Sequence, residues 1–204
     1  MEVYDTEEQQ VEAIKEWWKE NGKAVILGAV LGLGGLFGWQ YYDKSVISSQ
    51  EAASEAYNQA LDALAAKGTE GISGVQSFIE SNKDSEYSVL AALQLAKVQV
   101  EANQLDEALA QLEWAKENSK DAALSAVVHY RLARVKAEQG NFDQAIADLA
   151  GITDASWTGR VAELRGDILL RKGDQEAAYT AYTEAQQASD ASQTLQMKLD
   201  DLAK

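Results

Sequence analysis

Apolar residues recur at helical spacing along nearly the whole chain, and one stretch departs from that rhythm. From Ala24 to Tyr42 the sequence reads AVILGAVLGLGGLFGWQYY, 19 residues without a charge, closed by Lys23 and Asp43. A helix needs roughly 20 apolar residues to cross a hydrocarbon core about 30 Å thick. A buried core helix would keep one polar stripe, and this run keeps none. Trp17 and Trp18 precede it, and Trp39, Tyr41 and Tyr42 finish it; such rings settle at headgroup level. The pattern predicts a single transmembrane helix over 24–42. It reads as an uncleaved anchor, because signal-peptide cores run to about 7–15 apolar residues and precede small residues. Here the bulky Trp39-Gln40-Tyr41-Tyr42-Asp43 follows.

The flanks give the span a direction. The head, 1–23, carries seven carboxylates and three lysines. Val11, Ile14 and Trp18 fall at helical spacing, so its last part is expected to lead into the span as an amphipathic segment; residues 1–10 are expected to be a solvated tail. Lys15, Lys19 and Lys23 crowd the near side, against Lys44 alone on the far side until Lys67. Lysines stay cytoplasmic and acids count for little in that rule. The expectation is a single-pass type II protein with a cytoplasmic acidic head and a body, 43–204, outside the cytoplasm. Within the span, Gly28, Gly32 and Gly35 share a face, and Gly34 and Gly38 repeat the spacing of four. Such a face either admits another membrane helix or reflects how common glycine is in spans.

Beyond Asp43 the period is helical throughout. Ala53, Ala56, Tyr57, Ala60, Leu61 and Leu64 mark one face, and Lys67-Gly68-Thr69-Glu70-Gly71 interrupts it. Three segments then align: NQLDEALAQL from Asn103, GNFDQAIADL from Gly140 and GDQEAAYTAY from Gly173. Each places an alanine five residues on (Ala108, Ala145, Ala178) and a large residue four further (Leu112, Leu149, Tyr182). The alanines are 37 and 33 apart, and stepping back 34 from Ala108 reaches Gly74, with Phe78 four beyond. Four copies at a period near 34 resemble the tetratricopeptide repeat, two antiparallel helices per unit. Twelve residues before each marker stand Ala96, Ala133 and Gly166, as that family requires, whereas the first copy has Asp62. A last helix with Leu195, Leu199 and Leu202 on one face would cap the stack, since no unit buries its face alone. The predicted fold is all-α: one N-terminal transmembrane helix, then a tetratricopeptide-like helical-hairpin solenoid with a C-terminal capping helix.

Composition narrows the chemistry. Net charge is −15, with no cysteine, no proline and one histidine, His129. The acidity opposes binding to nucleic acid or anionic lipid; membrane lipid is expected only around 24–42. Without cysteine there is no disulfide or thiol chemistry, and a lone histidine builds no ordinary zinc site. No catalytic constellation is present in the motifs, so the chain reads as a non-enzymatic binding module with no cofactor. Repeats of this class bind through the face lined by the first helix of each unit. That mapping selects Leu90, Leu93, Lys97, Tyr130, Arg134 and Arg160 as a candidate peptide groove, with Val100, Val127, Glu163, Asp167 and Leu170 beside them. The face would be an open groove for extended or helical peptides, a solvated surface, or one filled by the C-terminal helix.

The whole chain, from MEVYDTEEQQVEAIKEWWKENGK through the span to the degenerate repeats, resembles the YfgM family of inner-membrane ancillary subunits of the SecYEG translocon. The resemblance implies association with the translocon and a PpiD-type periplasmic chaperone, and handling of exported polypeptides. It also implies an alternative role: a membrane-tethered regulator of envelope-stress signalling that sequesters a cytoplasmic response regulator. The first role would use groove and span, and the second would need the head. Deleting 1–16 separates them.

Overall fold

A computed structural model of the chain describes residues 7–202, with side chains from residue 9; the first six residues of the acidic head lie outside the described residues. The described residues form helices joined by short turns, with no strand. They divide into two compact units, split between Ala52 and Ala53. The first helix, α1 (Glu7–Lys67), contributes to both.

In the first unit every residue from Lys23 to Ala52 is exposed. Leu31 and Leu36 are each 68% exposed and Trp39 71%. By length and composition this stretch of α1 is apolar enough to cross a membrane. Lipid is the solvent in which such a surface costs nothing, and a helix satisfies its own backbone there.

In the second unit α1 ends as the first helix of a hairpin whose other arm is α2 (Ile72–Ser81). Three more hairpins follow: α3 (Glu86–Glu101) with α4 (Leu105–Asn118), α5 (Ala122–Glu138) with α6 (Phe142–Leu149), and α7 (Thr158–Lys172) with α8 (Gln175–Gln186). The last helix is α9 (Leu195–Leu202). Without proline, the stops come from caps and left-handed residues. Asp121 accepts the amides of Ala123 and Leu124 at 2.8 and 2.9 Å to start α5, satisfying donors that the first turn leaves orphaned. Gly173, at φ 94°, ends α7 and lets the Asp174 amide return to the Leu169 carbonyl, a closure that a side chain would strain.

The repeat markers are where the helices meet. Ala108, Ala145 and Ala178 are fully buried, as are Ala133 and Gly166, and Ala96 is 3% exposed. Leu112, Leu149 and Tyr182 fill the spaces between them at 1–2% exposure. The first hairpin differs: Gly74 is exposed with open space around it, and the close approach is at Gly71, where a Cβ would stand 2.7 Å from the Leu64 Cα. The core runs in three clusters along the stack. Leu64, Phe78, Leu95 and Leu132 belong to the first, Leu149 and Ile168 to the second, Tyr182 and Leu195 to the third. Helix α5 faces the first cluster with Leu132 and Val135 and the second with Ala133 and Ala137, which is how a solenoid shares its interior.

Candidate functional site

The stacking of α3, α4 and α5 leaves a cleft of about 450 Å³ between the second and third hairpins. Ala96, Leu112 and Val135 form its buried floor, Leu105 is half-buried and Val100 stands open at its mouth. Lys97, Glu101, Arg131, Arg134 and Glu138 surround that floor with charge. Lys97 lies 3.8 Å from Glu101 on the same helix, and Glu138 accepts from Arg171 at 2.9 Å. Arg131 Nη1 donates to the Leu93 carbonyl at 3.0 Å. Burial, and then the like charge of Arg134, pull the Arg131 guanidinium below its usual range.

The positions that the repeat register selects fall into separate groups. Lys97 and Arg134 both line the cleft. Leu93 is 3% exposed and belongs to the core, and Leu90 is half-buried. Tyr130 packs against Trp157, ring centroids 5.5 Å apart, and Arg160 lies over the Trp157 ring, its guanidinium carbon 5.0 Å from the centroid. Burial raises the Tyr130 phenol above its ordinary range. Gly28, Gly32 and Gly35 are exposed on α1, with nothing within 4 Å of where a Cβ would be. Two participants escape a register-based reading. Arg131 sits one helical turn before Val135 and faces the preceding hairpin; Trp157 lies in the short turn before α7, where its spacing of three to Arg160 is the available signal.

The corresponding face of the fourth hairpin is occupied by the chain itself. Lys198 on α9 donates to Asp167 at 2.6 Å and pairs with Glu163 at 2.9 Å. Ser192 donates to Glu163 at 3.1 Å, and the Tyr182 hydroxyl donates to Asp167 at 2.7 Å. Asp190 accepts the amides of Gly159 and Arg160 at 2.7 and 3.2 Å, closing the start of α7. The open part of the inner surface is therefore the α3–α5 cleft and its neighbourhood.

Behind the cleft, the second and third hairpins are joined by charge. Asp148 of α6, 5% exposed, accepts from Lys136 at 2.7 Å and from Lys116 of α4 at 2.9 Å. Lys136 also pairs with Glu113 at 2.7 Å. His129 flanks this network, its Nδ1 3.9 Å from Asp148 Oδ1, and packs on Gly151, where a Cβ would come within 2.6 Å of the ring. It is a packing residue.

Similarity to known proteins follows the same outline. The tetratricopeptide repeat-like domain family matches residues 15–204. The "Ancillary SecYEG translocon subunit" of Escherichia coli (strain K12) is 39% identical over 207 residues, covering 100% of both chains. The protein of the same name from Haemophilus influenzae is 34% identical, covering 96% of this chain and 97% of its own. Among solved structures, MamA 41-end from Desulfovibrio magneticus RS-1 superposes with a TM-score of 0.60 at 13% identity, covering 74% of this chain and 82% of that one. At that identity the likeness concerns the fold alone. On the strength of the full-length identity and the repeat match, the chain belongs to the family of ancillary SecYEG translocon subunits with a tetratricopeptide repeat-like domain.

Proposed function

We propose that the chain is a non-enzymatic, membrane-anchored accessory of the Sec translocon that binds partner and exported polypeptides through its repeat domain and its span. The observation that carries this reading is identity of 39%, end to end, with a protein named for the translocon. The exposed apolar stretch of α1 supports an inner-membrane anchor, and its open Gly28, Gly32 and Gly35 suit close approach of another membrane helix. The apolar cleft with a charged border suits a polypeptide segment. The lysines at 15, 19 and 23 support a cytoplasmic head and a body outside the cytoplasm; in the periplasm the cleft would meet exported chains and a PpiD-type chaperone.

Photo-crosslinking in native membranes tests it. A probe at Leu31 is expected to label translocon subunits, and one at Lys97 exported polypeptide or chaperone. Probes that label neither would overturn the reading. Protease added to spheroplasts is expected to digest the repeat domain and spare the head; a protected repeat domain would reverse the orientation.

A further inference from the structure

The five arginines of this chain are not equivalent. Arg160, Arg165 and Arg171 each have a carboxylate partner, respectively Asp190, Glu184 and Glu138. Arg131 and Arg134 have no such partner among the described residues, in a chain with 33 acidic side chains. Both line the same cleft. Of the acids on its border, Glu101 pairs with Lys97 and Glu138 with Arg171. The bond from Arg131 to the Leu93 carbonyl holds one guanidinium in place and leaves the rest of its donor fork unused. Two guanidiniums bordering one apolar floor, neither paired with a carboxylate among the described residues, favour an anion that also brings apolar surface.

We propose that the cleft takes an acidic polypeptide segment, with a carboxylate across Arg131 and Arg134 and a large apolar side chain on Leu112 and Val135. This rests on the reading that the repeat domain binds polypeptide, and it adds the chemistry selected. A volume of about 450 Å³ lies within the range of ligand sites, about 300–1,000 Å³. Arginine grips carboxylate in a bidentate fork, and the chain's net charge of −15 disfavours acidic segments in general, so the pair of arginines would set register as well as affinity.

The test uses the full chain in lipid nanodiscs and two fluorescein-labelled peptides, one of alternating glutamate and leucine and one with glutamine for every glutamate. Arg134→Gln is expected to weaken the glutamate peptide several-fold, and the double change Arg131→Gln with Arg134→Gln about tenfold or more. The glutamine peptide is expected to bind both variants as it binds the parent. Arg134 is exposed and makes no bond the fold depends on, so the single variant carries the test if the double one melts. Unchanged binding of the glutamate peptide to Arg134→Gln, or equal loss of both peptides, would overturn the proposal. So would a parent chain that binds neither peptide; in that case the crosslinking with translocon subunits still decides the accessory role separately.

Discussion

At Gly166 the usual rule for helical glycine reverses. Alanine in a helix interior is ordinarily better than glycine by about 1 kcal/mol. Here a Cβ would stand 2.4 Å from Cε1 of Tyr182. That ring cannot swing aside: it is 1% exposed, its hydroxyl is bonded to Asp167 at 2.7 Å, and the Lys198 ammonium lies 5.4 Å from its centre. Overpacking costs about 1–3 kcal/mol, which exceeds the propensity gain. Gly166→Ala is expected to lower the melting temperature in calorimetry, while Gly74→Ala, with open space at its Cβ, is expected to raise it slightly. Asp148 is the second sensitive residue. Burial alone would raise its carboxyl, but the Lys136 and Lys116 ammoniums outweigh burial and hold it below the usual range. A depressed carboxylate contributes stability that is present above its unfolded value, near 4, and lost as pH falls through the folded one. Asp148→Asn is expected to cost about 2–3 kcal/mol at pH 7, less than the roughly 3–5 of a fully dry pair because Lys116 keeps contact with water. The gap from the parent in urea melts should shrink at pH 3.

Among the elements, α1 carries the most separable claim. Leucine at Gly28, Gly32 and Gly35 keeps the span apolar and fills the face where another helix would approach. Membrane insertion is expected to be unchanged and recovery of membrane partners by co-purification to fall; equal recovery would show that the face is idle. The repeat elements were legible in the sequence because crossing helices demand small residues at fixed spacing, and Ala108, Ala145, Ala178 and their partners supply them. The first hairpin was less so. Its first arm is the end of α1, and its contact point moved from the repeat position Gly74 to Gly71. The candidate face was half legible. Lys97 and Arg134 point from their helices as the register says, yet Leu93 is drawn into the core and Arg131 enters the cleft from a position the register ignores. A cleft belongs to the gap between two hairpins, and that gap is set by packing that no single repeat encodes. Occupation of the fourth hairpin by α9 depends on Lys198 meeting Glu163 and Asp167 across about thirty residues, another pairing that local pattern does not contain.

For the molecule as a whole, stability is a sum over neighbouring hairpins, and those joints are not chemically alike. That of the first and second hairpins is apolar, with Phe78 and Leu95 in one cluster, whereas α9 meets the fourth hairpin through Lys198, Glu163 and Asp167 as well as through Tyr182 and Leu195. The joint of α4 with α6 also runs through Asp148, Lys116, Lys136 and Glu113. Urea and guanidinium chloride both solvate the chain, but only the second is a salt, and near 1 M ionic strength the screening length falls to about 3 Å. The two denaturants are then expected to disagree where such pairs keep contact with water, as Lys116 does here and Lys198 does at α9. Extrapolated stability of the parent should come out lower in guanidinium than in urea, relative to the same pair of measurements on Asp148→Asn. The comparison with that variant matters because salt also relieves the self-repulsion of an acidic surface, a gain common to both chains that the subtraction removes.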